Sequence, residues 1–423
     1  MPRSSALWIV AVTAGLTAPA FAQEVATAGP AIRPSHLAAL DRSTEPVGVG
    51  VTLRTLETDR LFESPQSIAV LTVDLSRPTT RIRVAAPDPF ARVATSELAR
   101  RAGALAAVNG GFFDTSNGHP NGLVIQDGKT RAGPAGRALG GAIGVDGRGR
   151  VGFASTDGPD LPAFVDGLGA WPMLLRAGAI TRPEGFSKTD RRHPRTAVGV
   201  AADGRLLLVT VDGRHPRAAG MTLVELAELM RALGCRDALN LDGGGSTTMW
   251  IRHLDPQVVN HPSDNEAFDA GGERTVANAL LVLAPAILQR DEDCATPEPT
   301  DALRSFAVPG AIGGDAVAIQ SPGASLTFTV DLPSRGPWHL EVRRPPAADG
   351  ARPEARSLRI AVLGPASSPE PIPVPAGAWT DAGEVPGSDE GPVRIRIDAP
   401  GEESFDFDAI RLVEQRAPDP GRR

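Results

Sequence analysis

The chain has 423 residues, 22% of them charged, and a net charge of −7, a length that suits two or three domains with cores of their own. Its mild acidity excludes nucleic acid as the main ligand and leaves any bound anion to be met by local groups. The two cysteines, Cys235 and Cys294, cannot make a tetrahedral zinc site alone, and they are compatible with one disulfide or two free thiols.

At the N-terminus Arg3 precedes an apolar run, residues 6–12, and Ala20-Phe21-Ala22 fits the small-x-small cleavage rule. Residues 1–22 therefore read as a signal peptide, and the protein is expected to be exported, periplasmic or secreted. The run breaks at Thr13, Gly15, Thr17 and Pro19, short of the roughly 18–20 residues a membrane span needs, so no span is expected after cleavage. Residues 23–46 show no sustained period and read as a lead-in segment.

From 47 to 286, short β-type runs such as 48–53, 67–73 and 81–84 alternate with turn signals, as in a strand-rich domain. Asp127-Gly128, Asp146-Gly147 and Asp203-Gly204 predict hairpin turns with positive φ at both central residues. Two helices are expected, near 96–102 and over 221–233; in the second, Thr222 and Glu225 form a capping box and Gly234 ends the element. The mixture is α+β, with mixed or antiparallel sheets. Residues 287–302 lose the hydrophobic period and gain charge and proline, the mark of a linker. Over 303–415 the runs 324–330, 338–342, 358–363 and 393–397 alternate without a helix, so an all-β sandwich is expected. Residues 416–423 read as a tail.

Chemistry concentrates at strand ends. The segment 237–248 is an apolar strand ending in Asp242, then Gly243, Gly244, Gly245 and Ser246. Successive glycines can aim their amides at an anion as a nest, with the Ser246 hydroxyl added. A Walker loop would need Lys where Gly245 stands, and a serine-hydrolase elbow would need Gly where Thr248 stands. A similar strand end presents Asn109, Gly110 and Gly111, with Asn109 a turn former or a partner for a sugar hydroxyl. Arg195 precedes a strand, where its planar fork suits a phosphate. Asp212 starts a loop that lines a site or merely turns. His119, His193, His215, His253 and His261 lack the i, i+4 spacing of a metal helix, and none is assigned to catalysis. No cofactor is required by these residues; a bound divalent cation is left open and unassigned. Trp338 and Trp379 are expected in the core, with sugar stacking the alternative.

These residues carry a resemblance. NGGFF at 109–113, PRTAVG at 194–199, Val211-Asp-Gly-Arg, NLDGGGSTTM at 240–249, HPSD at 261–264 and ERTVANAL at 273–280 resemble the phosphodiester glycosidase family in order and spacing from about Val47 to Leu283. The resemblance implies hydrolysis of a sugar 1-phosphodiester at the glycosidic bond, and it carries over Asn109, Arg195, Asp212, Asp242, Ser246, Asp264 and Arg274. On that reading Arg195 and Arg274, with the amides of Gly243, Gly244, Gly245 and Ser246, hold the phosphate. Asp242 acts as base or nucleophile, and Asp264 is the second carboxylate. The cysteine-rich surroundings of the family's animal member are absent, so envelope glycans or sugar-phosphate polymers are the expected partners. Residues 404–413 resemble the closing strand of carbohydrate-binding β-sandwich modules. Two rival classes remain: a non-catalytic binder of phosphorylated glycan, and a phosphodiesterase cutting P–O, which calls for a His and Asp metal cluster.

Overall fold

A computed structural model describes residues 32–133, 140–156, 163–181 and 191–291 continuously. Beyond these it describes 295–298, 303–307, 315–319, 325–330, 332, 337–345, 356–363, 372–376, 378–385, 392–398 and 405–415. The expected signal peptide, the tail and Cys294 lie outside the described residues. Among the described residues, pairing between the named strands is antiparallel throughout and three α-helices accompany them, an α+β arrangement.

The largest sheet has eight strands in the order Glu45–Gly48, Val51–Leu61, Ser64–Val73, Leu206–Val211, Arg195–Ala201, Cys235–Asn240, Met173–Arg176, Ala179–Ile180. Successive side chains along a strand point to opposite faces, and the core divides accordingly. Ala197, Leu207, Val209 and Ala238 face one way, into a cluster shared with helix α3 (Leu223–Ala232). Val198, Leu206, Leu208 and Leu239 face the other way, into a core shared with Val84, Val108, Leu280 and Val282 of a second, four-stranded sheet. Helix α2 (Thr95–Arg101) covers the outer face of that second sheet through Leu98 and Ala99. The order of layers is thus helix, sheet, sheet, helix.

Helix α3 starts where its capping box predicts. The Thr222 hydroxyl accepts from the Glu225 N–H, the Glu225 carboxylate accepts from the Thr222 N–H, and Gly234 follows the helix at φ +88°. Its Leu226, Leu229 and Met230 are fully buried or nearly so, each worth about 1.5–3 kcal/mol of burial.

Several local expectations are corrected. The lead-in segment contains helix α1 (Pro34–Arg42), which has Pro in its first turn and buries Leu40 against the eight-stranded sheet; proline pre-sets φ for a helix start. Of the three Asp-Gly pairs, only Asp127-Gly128 has positive φ at both residues. At the other two, the Asp146 and Asp203 carboxylates accept N–H bonds from Arg148 and Arg205, so these aspartates act as side-chain turn formers.

The expected linker is also structured. Strand Ile287–Asp291 pairs with Ala409–Glu414, and Ala295–Glu298 pairs with Ser325–Val330. Charge and proline hid the burial of Ile287 and Leu288. Beyond this point the described elements are all strands, and they share a core containing Phe328, Trp338, Ile395 and Phe407. Trp338 is wholly buried, while the ring of Trp379 carries the Arg411 guanidinium 4.3 Å from its centroid. Glu414 joins the two parts of the chain by accepting from Arg252 Nη2 at 2.6 Å and from the Ala286 N–H at 3.1 Å.

Candidate active site

The register of the eight-stranded sheet gathers the motif residues. Arg195 pairs with Val211, and Ala197 with Asn240, so the start of one strand lies beside the ends of two others. Arg195, Asp212 and Asp242 therefore emerge at one end of the sheet. The Asp242 N–H donates to Gly110 O at 3.0 Å, which ties the second sheet to the same end.

Asn109 is wholly buried, and both ends of its amide are engaged. Its Nδ2 donates to Asp242 O at 2.7 Å, and its Oδ1 accepts from the Thr196 hydroxyl at 2.7 Å and the Thr248 N–H at 3.2 Å. In the structure Asn109 pins three strand ends together.

Several amides of the expected nest have partners within the protein. The Gly243 N–H donates to Asp242 Oδ1, the Gly244 N–H to Pro194 O, and the Ser246 N–H to Gly243 O. The glycines also serve close approach. Gly244 has φ +61°, and a Cβ there would stand 2.8 Å from Arg214 Nη2; a Cβ on Gly245 would stand 1.8 Å from Asp264 Oδ1 and 2.3 Å from Arg274 Nη2. Only glycine lets these side chains lie over the turn.

Asp264 and Arg274 form a bidentate pair, Nε to Oδ2 at 2.6 Å and Nη2 to Oδ1 at 2.7 Å. Hydrogen bonding to Asp264 holds the Arg274 guanidinium above its usual range, with Asp242 adding to the attraction. Each Asp264 oxygen thereby accepts from Arg274. Asp242 is half-buried. Burial pushes its carboxyl above the ordinary aspartate range, against the opposing pull of Ser246, the Gly243 N–H and Arg274. The buried Ser246 hydroxyl faces that carboxyl without meeting full hydrogen-bond geometry with any described residue.

Arg195 Nε donates to Met221 O at 2.8 Å and Nη2 to Arg191 O at 2.9 Å. Two of its guanidinium nitrogens thus meet main-chain carbonyls. The cation that reaches the cleft is Arg214, whose backbone sits at φ +63° and which has no carboxylate partner among the described residues. A non-glycine residue held in that region is a local strain that the surrounding structure must maintain.

The cleft has a volume of about 640 Å³, and its walls include Arg214, His215, His261, Asp264 and Phe268; the glycine turn that follows Asp242 lies against two of these wall residues, Arg214 and Asp264. Asp212 is 2% exposed and accepts from Ser67 Oγ at 2.6 Å, Asn260 Nδ2 at 2.9 Å and the His261 N–H at 2.9 Å, with His261 Nδ1 also at 2.9 Å. The Phe268 ring stacks on His261 at 3.8 Å and 10°, and on His215 at 4.8 Å and 22°. Sequence spacing dismissed these histidines. The usable signal was Asp212 followed by Arg214 and His215 on one loop, with Asn260-His261 on another. Among the described residues no cluster of three or more His, Cys, Asp or Glu side chains is arranged to hold a metal ion. Cys235 is a buried free thiol, pushed up to about 12 by desolvation.

The molecule is thus an α+β protein whose polar cleft is walled by the loops that leave one end of a large antiparallel sheet. Residues 102–283, which hold nearly all of these groups, match the phosphodiester glycosidase family model. It is 33% identical over 192 residues to the mouse N-acetylglucosamine-1-phosphodiester alpha-N-acetylglucosaminidase, covering 41% of this chain and 36% of that protein. The human protein of the same name is 32% identical over 196 residues, with the same coverage. The chain thus spans about a third of the length of these relatives. A solved structure of the zebrafish catalytic domain of that name, auto-inhibited by its pro-peptide, is 26% identical with a TM-score of 0.46, covering 56% of this chain and 84% of that one.

Proposed function

We propose that the protein is an exported hydrolase that cleaves the glycosidic bond of a sugar 1-phosphodiester, with N-acetylglucosamine 1-phosphodiesters as the first substrates to try. The observation that carries the reading is the meeting of Arg214, the Asp264–Arg274 pair and Asp242 around one glycine turn inside the family-matched segment. Arg214 supplies an unpaired cation for the phosphate, and Asp264 fixes the orientation of Arg274 beside it. Phosphate is a good leaving group, so the arginines meet the charge that develops on it, and preorganised cations act best where charge appears only in the transition state. The Asp242 carboxylate faces the positive charge that develops at the anomeric carbon.

Export rests on the leader-like residues 1–22, and among the described residues no helix is long and apolar enough to cross a membrane. The C-terminal strands are read as a β-sandwich that keeps the enzyme on envelope or extracellular glycan. The deciding experiment is hydrolysis of N-acetylglucosamine α-1-phosphodiesters in ¹⁸O water. Label on the sugar is expected. Label on the phosphate would identify a phosphodiesterase, and binding without turnover across a panel of sugars would identify a binder.

A further inference from the structure

With Asp242 facing the anomeric carbon, the attacking water needs a separate proton acceptor. Asp264 has both oxygens on Arg274, and the Asp242 carboxyl is held by the Gly243 N–H. At the same end of the sheet, Asp212 is surrounded by donors from Ser67, Asn260 and the His261 main chain, an arrangement that fits an ionised, acceptor-only carboxylate. The ring nitrogen facing it, His261 Nδ1 at 2.9 Å, must then carry the hydrogen. In the neutral ring that leaves Nε2 as a bare acceptor. The imidazole is partly exposed, with 24% of its side-chain surface accessible, lines the cleft, and is held flat by Phe268. A buried carboxylate that fixes the tautomer and orientation of a histidine is the arrangement that makes a histidine a proton acceptor.

We infer that His261 Nε2 is the general base of the reaction, with Asp212 as its positioning residue; the inference rests on the proposed phosphodiester glycosidase reading. The water oxygen bonds to the anomeric carbon as the bond from that carbon to the phosphate oxygen breaks. The bonding pair leaves with the phosphate as a phosphomonoester, and the water proton passes to His261 Nε2. Asp212 stabilises the imidazolium until the proton is released to solvent. The charged and titratable groups around the ring are Asp212, Arg214 and His215 from one loop and Asp264, Glu266 and Asp269 from the other, with Arg217 over the far ring of the stack.

The test compares wild type with His261→Gln and His261→Ala on an N-acetylglucosamine 1-phosphodiester. His261→Gln is expected to lower kcat by about 10²–10⁴-fold and to remove the acid limb of kcat/KM, and free imidazole is expected to restore turnover to His261→Ala. Long-range ¹H–¹⁵N spectra of the wild type are expected to show His261 as the Nδ1–H tautomer, a readout that needs no variant to fold. An Nε2–H tautomer overturns the assignment, as does an active wild type whose His261→Gln variant keeps its rate and pH profile, or whose His261→Ala variant is not rescued. A wild type inert towards every sugar phosphodiester overturns the functional reading itself, and the base role with it.

Discussion

At the strand ends, Asn109 and Asp242 spend polar atoms on the protein itself, whereas on the cleft wall Arg214 has no carboxylate partner among the described residues and the His261 ring is partly exposed. The first side is a frame: its hydrogen bonds join two sheets through Asn109 and Gly110. The second side is a pair of loops, held from beneath by Asp212 and from within by the Phe268 stack. A rigid frame under loops that carry the reactive groups is the usual division of labour in a site, and here Asp242 stands at the junction of the two.

That junction gives the largest expected effect. Asp242→Asn keeps an oxygen for the Gly243 N–H, so the frame should survive, while the charge facing the anomeric carbon is gone. Turnover is expected to fall about 10³-fold with little change in KM, within the range for a group acting in the transition state. Steady-state kinetics beside thermal unfolding will check it; retained activity would move Asp242 into the frame.

The frame itself breaks differently. Asn109→Ala strips partners from the Thr196 hydroxyl, the Thr248 N–H and the Asp242 carbonyl at once, and buried groups left unsatisfied cost about 1–3 kcal/mol each. A loss of about 2–4 kcal/mol in unfolding free energy is expected, read by urea denaturation, with KM for the fraction that remains folded close to wild type. A selective rise in KM at unchanged stability would return Asn109 to the role of sugar ligand.

The frame was more legible in the sequence than the loops, for a physical reason. Capping at Thr222 and Glu225, the apolar runs of the central strands and the glycine-rich strand ends are local patterns, set by residues within a few positions of one another. The identity of each functional contact depends on partners far apart in the chain. Asp212 meets His261 across 49 positions, and Asn109 meets Asp242 across 133. Spacing could not show that Arg195 would be turned to main-chain carbonyls while Arg214 reached the cleft, nor that Gly245 makes room for an ion pair. Helix α1 and the strands within 287–298 were missed because short amphipathic runs were masked by proline and charge.

The loop side predicts a smaller and cleaner change. Arg214→Gln removes an unpaired cation from the cleft wall and no described ion pair, so stability should stay within about 0.5 kcal/mol, as for most surface changes. KM for a phosphodiester is expected to rise about 10-fold, the scale of one charged hydrogen bond. Inorganic phosphate should inhibit the variant less than the wild type. An unchanged KM would assign phosphate recognition to Arg274 alone.

The smallest effect tests the junction by pH. Burial raises the Asp242 carboxyl above its range in the unfolded chain, so the folded state holds this proton more tightly than the unfolded state does. Its contribution to stability is therefore fully present below the unfolded value, near pH 4, and is lost as pH rises through the folded value. Asn cannot ionise and pays no such cost. The stability of Asp242→Asn relative to wild type should accordingly increase from about pH 4 upward and level off once the wild-type carboxyl is ionised, as followed by urea denaturation across pH. A difference that shrinks over the same interval would mean that Arg274, Ser246 and the Gly243 N–H outweigh burial, making Asp242 a stabilised carboxylate of the frame.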